Sequence, residues 1–311
     1  MLPAAMKWKR NTGFDQIEDR RGQAVGGGGS GGAGLGALLV PVIGMLLGGK
    51  LGKGGTGMIV IIVAIVGFLL FSGILGGRSG GVPDVGGLTG GGVGGGASET
   101  FAPKNEVDEQ LAYVVDNVQD YWAATFSTAG RQYPKTVLVY FEGATDSPCG
   151  QASSATGPFY CPADQKVYLD IGFFDDLKNR FGAQGGDFAI AYVVAHEFGH
   201  HIQTVLGISE TVHQRSAQDP GQANQLSVRQ ELQADCFAGA WAHSAASDLE
   251  PGDIEEALDA AAAVGDDRIQ QATTGRVNPE GWTHGSAEQR VAWFRRGFDT
   301  GQPDACDTFA D

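Results

Sequence analysis

Residues 191–203 read AYVVAHEFGHHIQ, and the interpretation of the whole chain starts from this stretch. Apolar residues precede it, and neither residue between Glu197 and His200 is charged, which is typical of a helix with a buried face. An α-helix turns about 100° per residue, so His196 and His200 lie on one face, a turn apart, with Glu197 beside them. Gly199 leaves room there for a neighbouring helix. The stretch therefore predicts a packed helix that presents two histidines and a glutamate together.

This spacing is suited to a metal ion. Two imidazoles at positions i and i+4 can both reach one zinc ion at about 2.1 Å, and the glutamate can reach a water on that ion. The alternative is a chance match on an amphipathic helix, which average residue frequencies produce in roughly one chain of this size per hundred. A zinc site also needs a third protein ligand and groups that orient the ligands.

The third ligand is expected downstream. The metzincin pattern requires glycine at 203 and histidine at 206, and the chain has Gln203 and Leu206, so that class is excluded. Glu231 and Asp235 lie four residues apart in an alanine-rich, apolar helix, and therefore share a face. We expect Glu231 to be the third ligand and Asp235 to accept a hydrogen bond from a ligand histidine.

Four alternatives to this assignment stay open. Paired acids are most often a solvated helix face, and Asp235 could replace Glu231 as the ligand. His213 is a weaker candidate because it lies in a polar connector, and His243 because it lies about 120° round the helix from Glu231.

Composition and charge divide the chain near residue 98. Thirty of its 50 glycines fall between Gly22 and Gly96, where no ordinary core can form. Residues 1–97 carry a net charge of +4 and residues 98–311 one of −19. A domain this acidic repels phosphate backbones, so we expect no nucleic-acid partner.

One apolar segment has the length of a membrane span. Residues 58–75, MIVIIVAIVGFLLFSGIL, carry no charge over 18 residues, close to the roughly 20 that cross a bilayer. They predict a transmembrane helix and contact with membrane lipid. Residues 35–47 are shorter and include Pro41, which favours an interfacial or hairpin segment. Most basic residues of the N-terminal part precede 58–75, so the positive-inside rule predicts a single-pass protein of the cytoplasmic membrane, with its N-terminus in the cytoplasm.

The predicted organisation follows from these segments. Residues 1–25 are a cytoplasmic segment, 26–57 a glycine-rich and apolar linker, 58–75 the transmembrane helix, 76–97 a glycine-rich tether, and 98–311 a folded domain outside the membrane. In that domain Asn105 caps a helix, strands are expected at 136–141 and 166–171, and helices at 187–206, 224–246, 253–264 and 286–297. Few strands followed by many helices predict an α+β fold.

The four cysteines contain no C-x-x-C pair, which excludes a zinc ribbon. Outside the cytoplasm, Cys149 and Cys161 could close a short loop, and Cys236 and Cys306 would be the remaining pair. In a reducing compartment all four would be small buried apolar residues.

Several separate motifs together resemble one family. They are His196–His200 (HEFGH), Glu231–Asp235 (ELQAD), KWKRNTGFDQIEDRRG at 7–22, GPFYCPADQKVYLD at 157–170 and THGSAEQR at 283–290. With them the chain resembles the bacterial membrane-anchored neutral zinc metallopeptidases. The resemblance implies a zincin-like, mostly helical domain with a small sheet.

The expected chemistry is peptide-bond hydrolysis with one Zn²⁺ per chain and a protein or peptide as substrate. Zinc bound by His196, His200 and Glu231 activates a water, and Glu197 is the general base. His284, just before a capping box of Ser286 and Gln289, is the candidate donor to the oxyanion; the alternative is a histidine on a surface loop.

Other features of the domain lead to weaker expectations. His201 is expected to be packed or half-exposed rather than to line the cleft, and Arg290 to be a salt-bridge partner rather than a second donor to the oxyanion. The strand at 166–171 could offer an edge to an extended peptide. The competing function is a catalytically silent zinc-binding or scaffold module at the cell envelope.

Overall fold

All seven strands lie before residue 171 and helices dominate from residue 173 onward in this computed structural model, which describes residues 14–23, 99–179, 182–183 and 185–310. The strands of these residues are β1 (Ile17–Asp19), β2 (Glu99–Thr100), β3 (Leu138–Phe141), β4 (Ala144–Ser147), β5 (Gly150–Ser153), β6 (Phe159–Cys161) and β7 (Lys166–Asp170). The α-helices are α1 (Glu106–Thr128), α2 (Phe173–Asn179), α3 (Asp187–Val205), α4 (Ile208–Gln218), α5 (Ala223–Ser244), α6 (Asp253–Ala263), α7 (Asp266–Thr274) and α8 (Ala287–Thr300). The α+β prediction is confirmed.

The main sheet has the order β2-β1-β3-β7-β6, and β4 and β5 form a separate hairpin. Its central strands β1, β3 and β7 are parallel, whereas the outer strands β2 and β6 pair antiparallel. Every residue of β3 is buried, as expected for a strand that is covered on both faces. The prediction that residues 166–171 form an edge is wrong, because β6 pairs along the outer side of β7.

The N-terminal residues 14–23 are part of this sheet. β1 pairs with β3 in parallel and with β2 antiparallel, and the Ile17 side chain is only 4% exposed. Arg21 donates from Nη1 to both carboxylate oxygens of the fully buried Asp108, at 2.9 and 2.8 Å. The expectation that residues 1–25 form a segment separate from the domain is therefore wrong for residues 14–23.

The same pairing overturns the predicted membrane topology. Hydrogen-bonded strands of one sheet lie on the same side of a bilayer, so a single crossing between residues 23 and 99 cannot separate them. The apolar segments 35–47 and 58–75 lie outside the described residues, as do the predicted linkers beside them. Within the described ranges, no helix has the length and apolar character that a membrane crossing requires.

The predicted helices are confirmed to within about three residues at each end. The Asn105 side chain accepts a hydrogen bond from the Asp108 N–H and caps α1 as predicted, and the Ser286–Gln289 capping box opens α8. The sequence interpretation did not resolve α4 and α7 as separate helices. α4 buries only Val212 and α7 only Asp266, so neither leaves a hydrophobic repeat in the sequence.

α5 and α8 cross in direct contact at two glycines, one on each helix. A Cβ atom on Gly239 of α5 would lie 2.0 Å from the Phe294 carbonyl oxygen, and one on Gly297 of α8 would lie 1.9 Å from the Cys236 carbonyl oxygen. No side chain fits between these helices, so α8 lies directly on α5.

Two disulfides close further contacts in the described part of the chain. Cys149 pairs with Cys161, and Cys236 pairs with Cys306, which is the pairing that the sequence analysis considered for a domain outside the cytoplasm.

Candidate metal centre

The metal-binding face forms where α3 lies against α5. A Cβ atom on Gly199 would lie 3.0 Å from the Ala234 Cα atom and 3.1 Å from its carbonyl oxygen, so only glycine permits this approach without displacement. The role predicted for Gly199 is confirmed. The close contact places the histidine face of α3 against Glu231, one turn before Ala234.

Three potential ligand atoms converge at this point. Glu231 Oε2 lies 3.2 Å from His196 Nε2, and Glu231 Oε1 lies 3.5 Å from His200 Nε2. The ligand atoms of the three residues all lie within 4.8 Å of one another. Tetrahedral zinc with bonds of 2.0–2.1 Å keeps its ligands about 3.4 Å apart, so the donor set and its spacing fit zinc.

The cluster is accessible from one side. The side chains of His200 and Glu231 are 15% and 18% exposed, whereas that of His196 is 8% exposed. A catalytic zinc site differs from a structural one in having three protein ligands and one open position. Partial exposure at His200 and Glu231 is consistent with such an opening.

His196 is oriented by a charged network behind it. Its Nδ1 lies 2.8 Å from Asp235 Oδ1, and Asp235 is fully buried. The Tyr192 hydroxyl donates to the same oxygen at 2.6 Å, and Arg290 donates from Nε and Nη2 to the two carboxylate oxygens, each at 2.9 Å. Asp235 thus contacts the ring nitrogen that points away from Glu231, as predicted for an orienting acceptor. Arg290 forms the salt bridge that the sequence suggested.

His200 is oriented by a neutral side chain instead. Its Nδ1 lies 2.9 Å from Gln203 Oε1, and Gln203 Nε2 donates to the Gln230 carbonyl oxygen at 2.7 Å. Gln203 is fully buried. Sequence reasoning used position 203 only to exclude the metzincin pattern and missed this contact. The available signal was an amide three residues after His200, on the same helix face.

The charges in the cluster shift one another's pKa values. Burial alone would raise the pKa of Glu231, but the neighbouring His200, His196 and His284 hold it well below its usual value. Burial opposes protonation of His196, yet Asp235 and Glu231 raise its pKa to about 10. Burial dominates at Glu197, which is 7% exposed, and raises its pKa.

His284 lies on the loop before α8, where Asp266 binds it. Asp266 Oδ2 accepts from the backbone N–H groups of Thr283, His284 and Gly285 at 2.8, 2.6 and 3.0 Å, and Asp266 Oδ1 lies 3.2 Å from His284 Nδ1. Burial would lower the pKa of His284, but Asp266 and Glu231 raise it. Its side chain is 35% exposed. Sequence reasoning missed Asp266, because nothing local links it to a loop 18 residues later.

The remaining histidines lie apart from the cluster. His201 is fully buried, with Nε2 2.7 Å from the Pro134 carbonyl oxygen and Nδ1 3.2 Å from the Tyr160 hydroxyl, which confirms a packing role. His213 is exposed on α4, and His243 contacts the Phe298 carbonyl oxygen on α8.

Comparison with known proteins places this centre in context. The chain is 49% identical over 209 residues to "Uncharacterized protein YpfJ" of Escherichia coli K12, an alignment that covers 66% of this chain and 72% of the relative. It is 51% identical over 190 residues to "Uncharacterized protein Rv2575" of Mycobacterium tuberculosis H37Rv, covering 57% and 64%. No solved structure matches the chain, so the zincin-like fold stays a prediction.

A family profile covers nearly the whole sequence. It is described as "Putative neutral zinc metallopeptidase", and it matches residues 6–309. The match includes the cluster of His196, His200 and Glu231 as well as the N-terminal strand β1. The chain belongs to this zinc metallopeptidase family.

Proposed function

We propose that this protein is a zinc-dependent peptidase of zincin-like type that hydrolyses peptide bonds in proteins or peptides. The observation that carries the proposal is the convergence of His196 Nε2, His200 Nε2 and the Glu231 carboxylate, with an oxygen acceptor behind each imidazole. Each acceptor favours a proton on Nδ1, so Nε2 is the nitrogen of each imidazole that is left to bind zinc at the shared point. Zinc bound there would supply Lewis-acid activation of a water and of the substrate carbonyl.

Glu197 is the proposed general base. It lies next to His196 on α3, and burial raises its pKa, which suits a carboxylate that takes up a proton and then releases it. Its carboxylate takes the proton of the attacking water and transfers it to the leaving amine.

His284 is the proposed donor to the oxyanion. Asp266 faces its Nδ1, and the raised pKa favours a proton on both ring nitrogens, so Nε2–H can donate to negative charge. The three backbone N–H bonds to Asp266 fix the loop, and therefore also the distance between this donor and the cluster.

The decisive experiment measures zinc content and proteolysis on the full-length protein. We expect about one zinc per chain and cleavage of an unfolded protein such as casein. Glu197→Gln should keep the zinc and lose cleavage, and His196→Ala should lose both. His213→Ala, at an exposed histidine on α4, is the matched control and should change neither. Zinc bound without cleavage by the wild type would instead support the silent binding or scaffold module.

We also propose that the protein associates with the cytoplasmic membrane through residues 35–47 and 58–75 as a pair that enters and leaves on one side. Because β1 and β2 pair in one sheet, the proposal places both on one side of the bilayer, which an even number of crossings between them allows. Lys50 and Lys53 lie between the two apolar segments and would face the cytoplasm in this arrangement. The two disulfides favour an oxidising compartment, so the folded domain lies outside.

Single-cysteine labelling of intact cells tests this topology. A membrane-impermeant maleimide should label Asp15→Cys and Ala217→Cys, both at exposed positions of the domain, without permeabilisation. Lys53→Cys should be labelled only after permeabilisation. Protection of Asp15→Cys while Ala217→Cys is labelled would contradict both the paired crossing and the sheet.

A further inference from the structure

We propose that Gln203 is the positioning residue for the metal ligand His200. We also propose that two buried amides, those of Gln203 and Gln233, form a row that connects this contact to the disulfide between Cys236 and Cys306. The inference rests on the proposed zinc site. It differs from that proposal because it concerns a neutral residue that touches neither metal nor substrate.

The hydrogen bonds determine which way the Gln203 amide points. The Gln230 carbonyl oxygen can only accept, so Gln203 must present Nε2 to it. Oε1 of Gln203 therefore faces His200 Nδ1, and that nitrogen must carry the proton. The other nitrogen of His200, Nε2, faces Glu231 Oε1 at 3.5 Å and is the atom that would bind the metal.

A second amide supports the first. Gln203 Nε2 also lies 3.2 Å from Gln233 Oε1, and Gln233 Nε2 donates to the Cys306 carbonyl oxygen at 3.0 Å. Gln203 is fully buried and Gln233 is 4% exposed. Rotating either amide would place two acceptors or two donors against each other in a buried environment, so the row has one satisfied arrangement.

The row ends at a covalent link. Cys306 is joined to Cys236, which lies on α5 between the Asp235 contact and the helix crossing at Gly239. The C-terminal residues 303–306 are thereby fixed against α5, and they supply the carbonyl oxygen on which Gln233 depends. His200 is therefore positioned by contacts that extend through Gln203 and Gln233 to Cys306.

Removing the Gln203 amide tests the inference. Gln203→Leu should lower zinc affinity by about 10- to 100-fold, the usual cost of losing a partner of a ligand histidine. It should also shift the visible absorption of the cobalt-substituted protein, because the His200 ring is no longer oriented. Zinc affinity within twofold of wild type, with an unchanged cobalt spectrum, would overturn the inference.

A matched control separates positioning from general stability. Gln119 is another fully buried glutamine, with Nε2 2.6 Å from the Thr136 carbonyl oxygen and Oε1 3.3 Å from the Thr136 N–H. Gln119→Leu loses a comparable pair of bonds, neither of which involves a residue of the cluster. It should be destabilised but should bind zinc as tightly per folded molecule as wild type. A loss of affinity equal to that of Gln203→Leu would overturn the inference.

Two further variants keep the test decisive. Gln203→Glu retains the acceptor for His200 but places a carboxylate against two oxygen acceptors, so it should not restore wild-type zinc affinity. If Gln203→Leu fails to fold, Gln233→Leu removes the support without touching His200 and should lower zinc affinity by up to about tenfold. An unchanged zinc affinity in Gln233→Leu would overturn the proposal that the second amide supports Gln203. A wild type that binds no zinc would contradict the proposed function itself.

Discussion

Two groups of acidic side chains lie against the same helix, α3, and they differ in what surrounds them. Asp187, Asp253 and Glu256 meet near its N-terminus, and Glu231 lies beside the two histidines farther along. In both groups the potential ligand atoms lie within 4.8 Å of one another. Proximity of potential ligand atoms is therefore common to both groups, and it is not what distinguishes the candidate metal centre.

The pKa shifts run in opposite directions. Burial, followed by the charge of Asp187 and other acids, raises the pKa values of Asp253 and Glu256. Burial acts the same way on Glu231 and Asp235, yet histidines and Arg290 hold both pKa values down. Cationic partners thus stabilise the charged form of the second pair before any ion binds.

In the first group, Glu256 interacts with the N-terminus of α3 instead. Glu256 accepts a hydrogen bond from the Phe188 N–H at 3.1 Å. Its carboxylate leaves no room for a side chain at Gly186, because a Cβ atom there would lie only 2.1 Å from it. These contacts place a carboxylate at the N-terminus of α3, where free N–H groups and the helix dipole favour it. The partners of a carboxylate therefore indicate its role better than the number of acids near it does.

The largest expected effect comes from removing the carboxylate that both histidines face. Glu231→Gln keeps the size of the side chain but removes a charged ligand, so zinc affinity should fall by about 10³-fold, equivalent to about 4 kcal/mol. Competition with a chelator of known affinity measures this. Glu256→Gln, the same substitution in the first group, should leave zinc affinity unchanged. An equal loss in both variants would remove the distinction between the groups.

A large effect on stability is expected where Asp235 loses its cation. Arg290→Met leaves a fully buried carboxylate with only His196 and Tyr192 as partners, and should cost about 3–5 kcal/mol. Urea unfolding of the metal-free protein measures this change. Adding Asp235→Asn removes the uncompensated charge and should recover part of the loss. A loss below about 1 kcal/mol in the single variant would show that Arg290 does not compensate Asp235.

The smallest expected effect is on the free energy of unfolding, in a variant of Asp253 from the first group, and it should depend on pH. A carboxyl whose pKa is raised by folding contributes stability that is present below its unfolded pKa of about 4 and lost as pH rises through the folded pKa. Asp253→Asn should therefore stabilise the protein at pH 7.5, by less than about 1 kcal/mol, and the gain should shrink towards pH 4.5. The Glu250 N–H can still donate to the new amide oxygen.

The control for this variant is Asp299→Asn, at an exposed acid on α8, which removes the same charge from an acidic protein. It should have almost no effect at either pH. An equal gain in both variants would mean that net charge, rather than the local group, is responsible.

The sequence predicted the helices and site residues whose spacing follows the periodicity of an α-helix. α3 and α5 are long, and the spacing of His196, His200 and Glu231 follows from helix geometry once two helices are assumed to face each other. Asp235 could be assigned because it shares a helix face with Glu231. These expectations needed no knowledge of distant contacts.

The parts that were missed depend on residues far apart in the chain. β1 and β2 have three and two residues and are recognisable as strands only from their partners in the sheet. Asp266 acts on a loop 18 residues later, and Gln203 depends on a carbonyl oxygen 27 residues away. No periodic pattern encodes such contacts, and the membrane topology was wrong because the position of β1 was unknown.

The pairing of Asp19 with Glu99 also has a consequence for how the protein folds. The entropy lost on joining two points of an unfolded chain grows with the logarithm of the number of residues between them. A variant in which a four-residue turn replaces residues 20–98 would shorten this connection about 20-fold and reduce that cost by about 2–3 kcal/mol. The turn should consist of the native residues 20–23, so that Arg21 keeps its contacts with Asp19 and Asp108. Such a short chain, freed of its most apolar segments, should refold faster than the full-length protein.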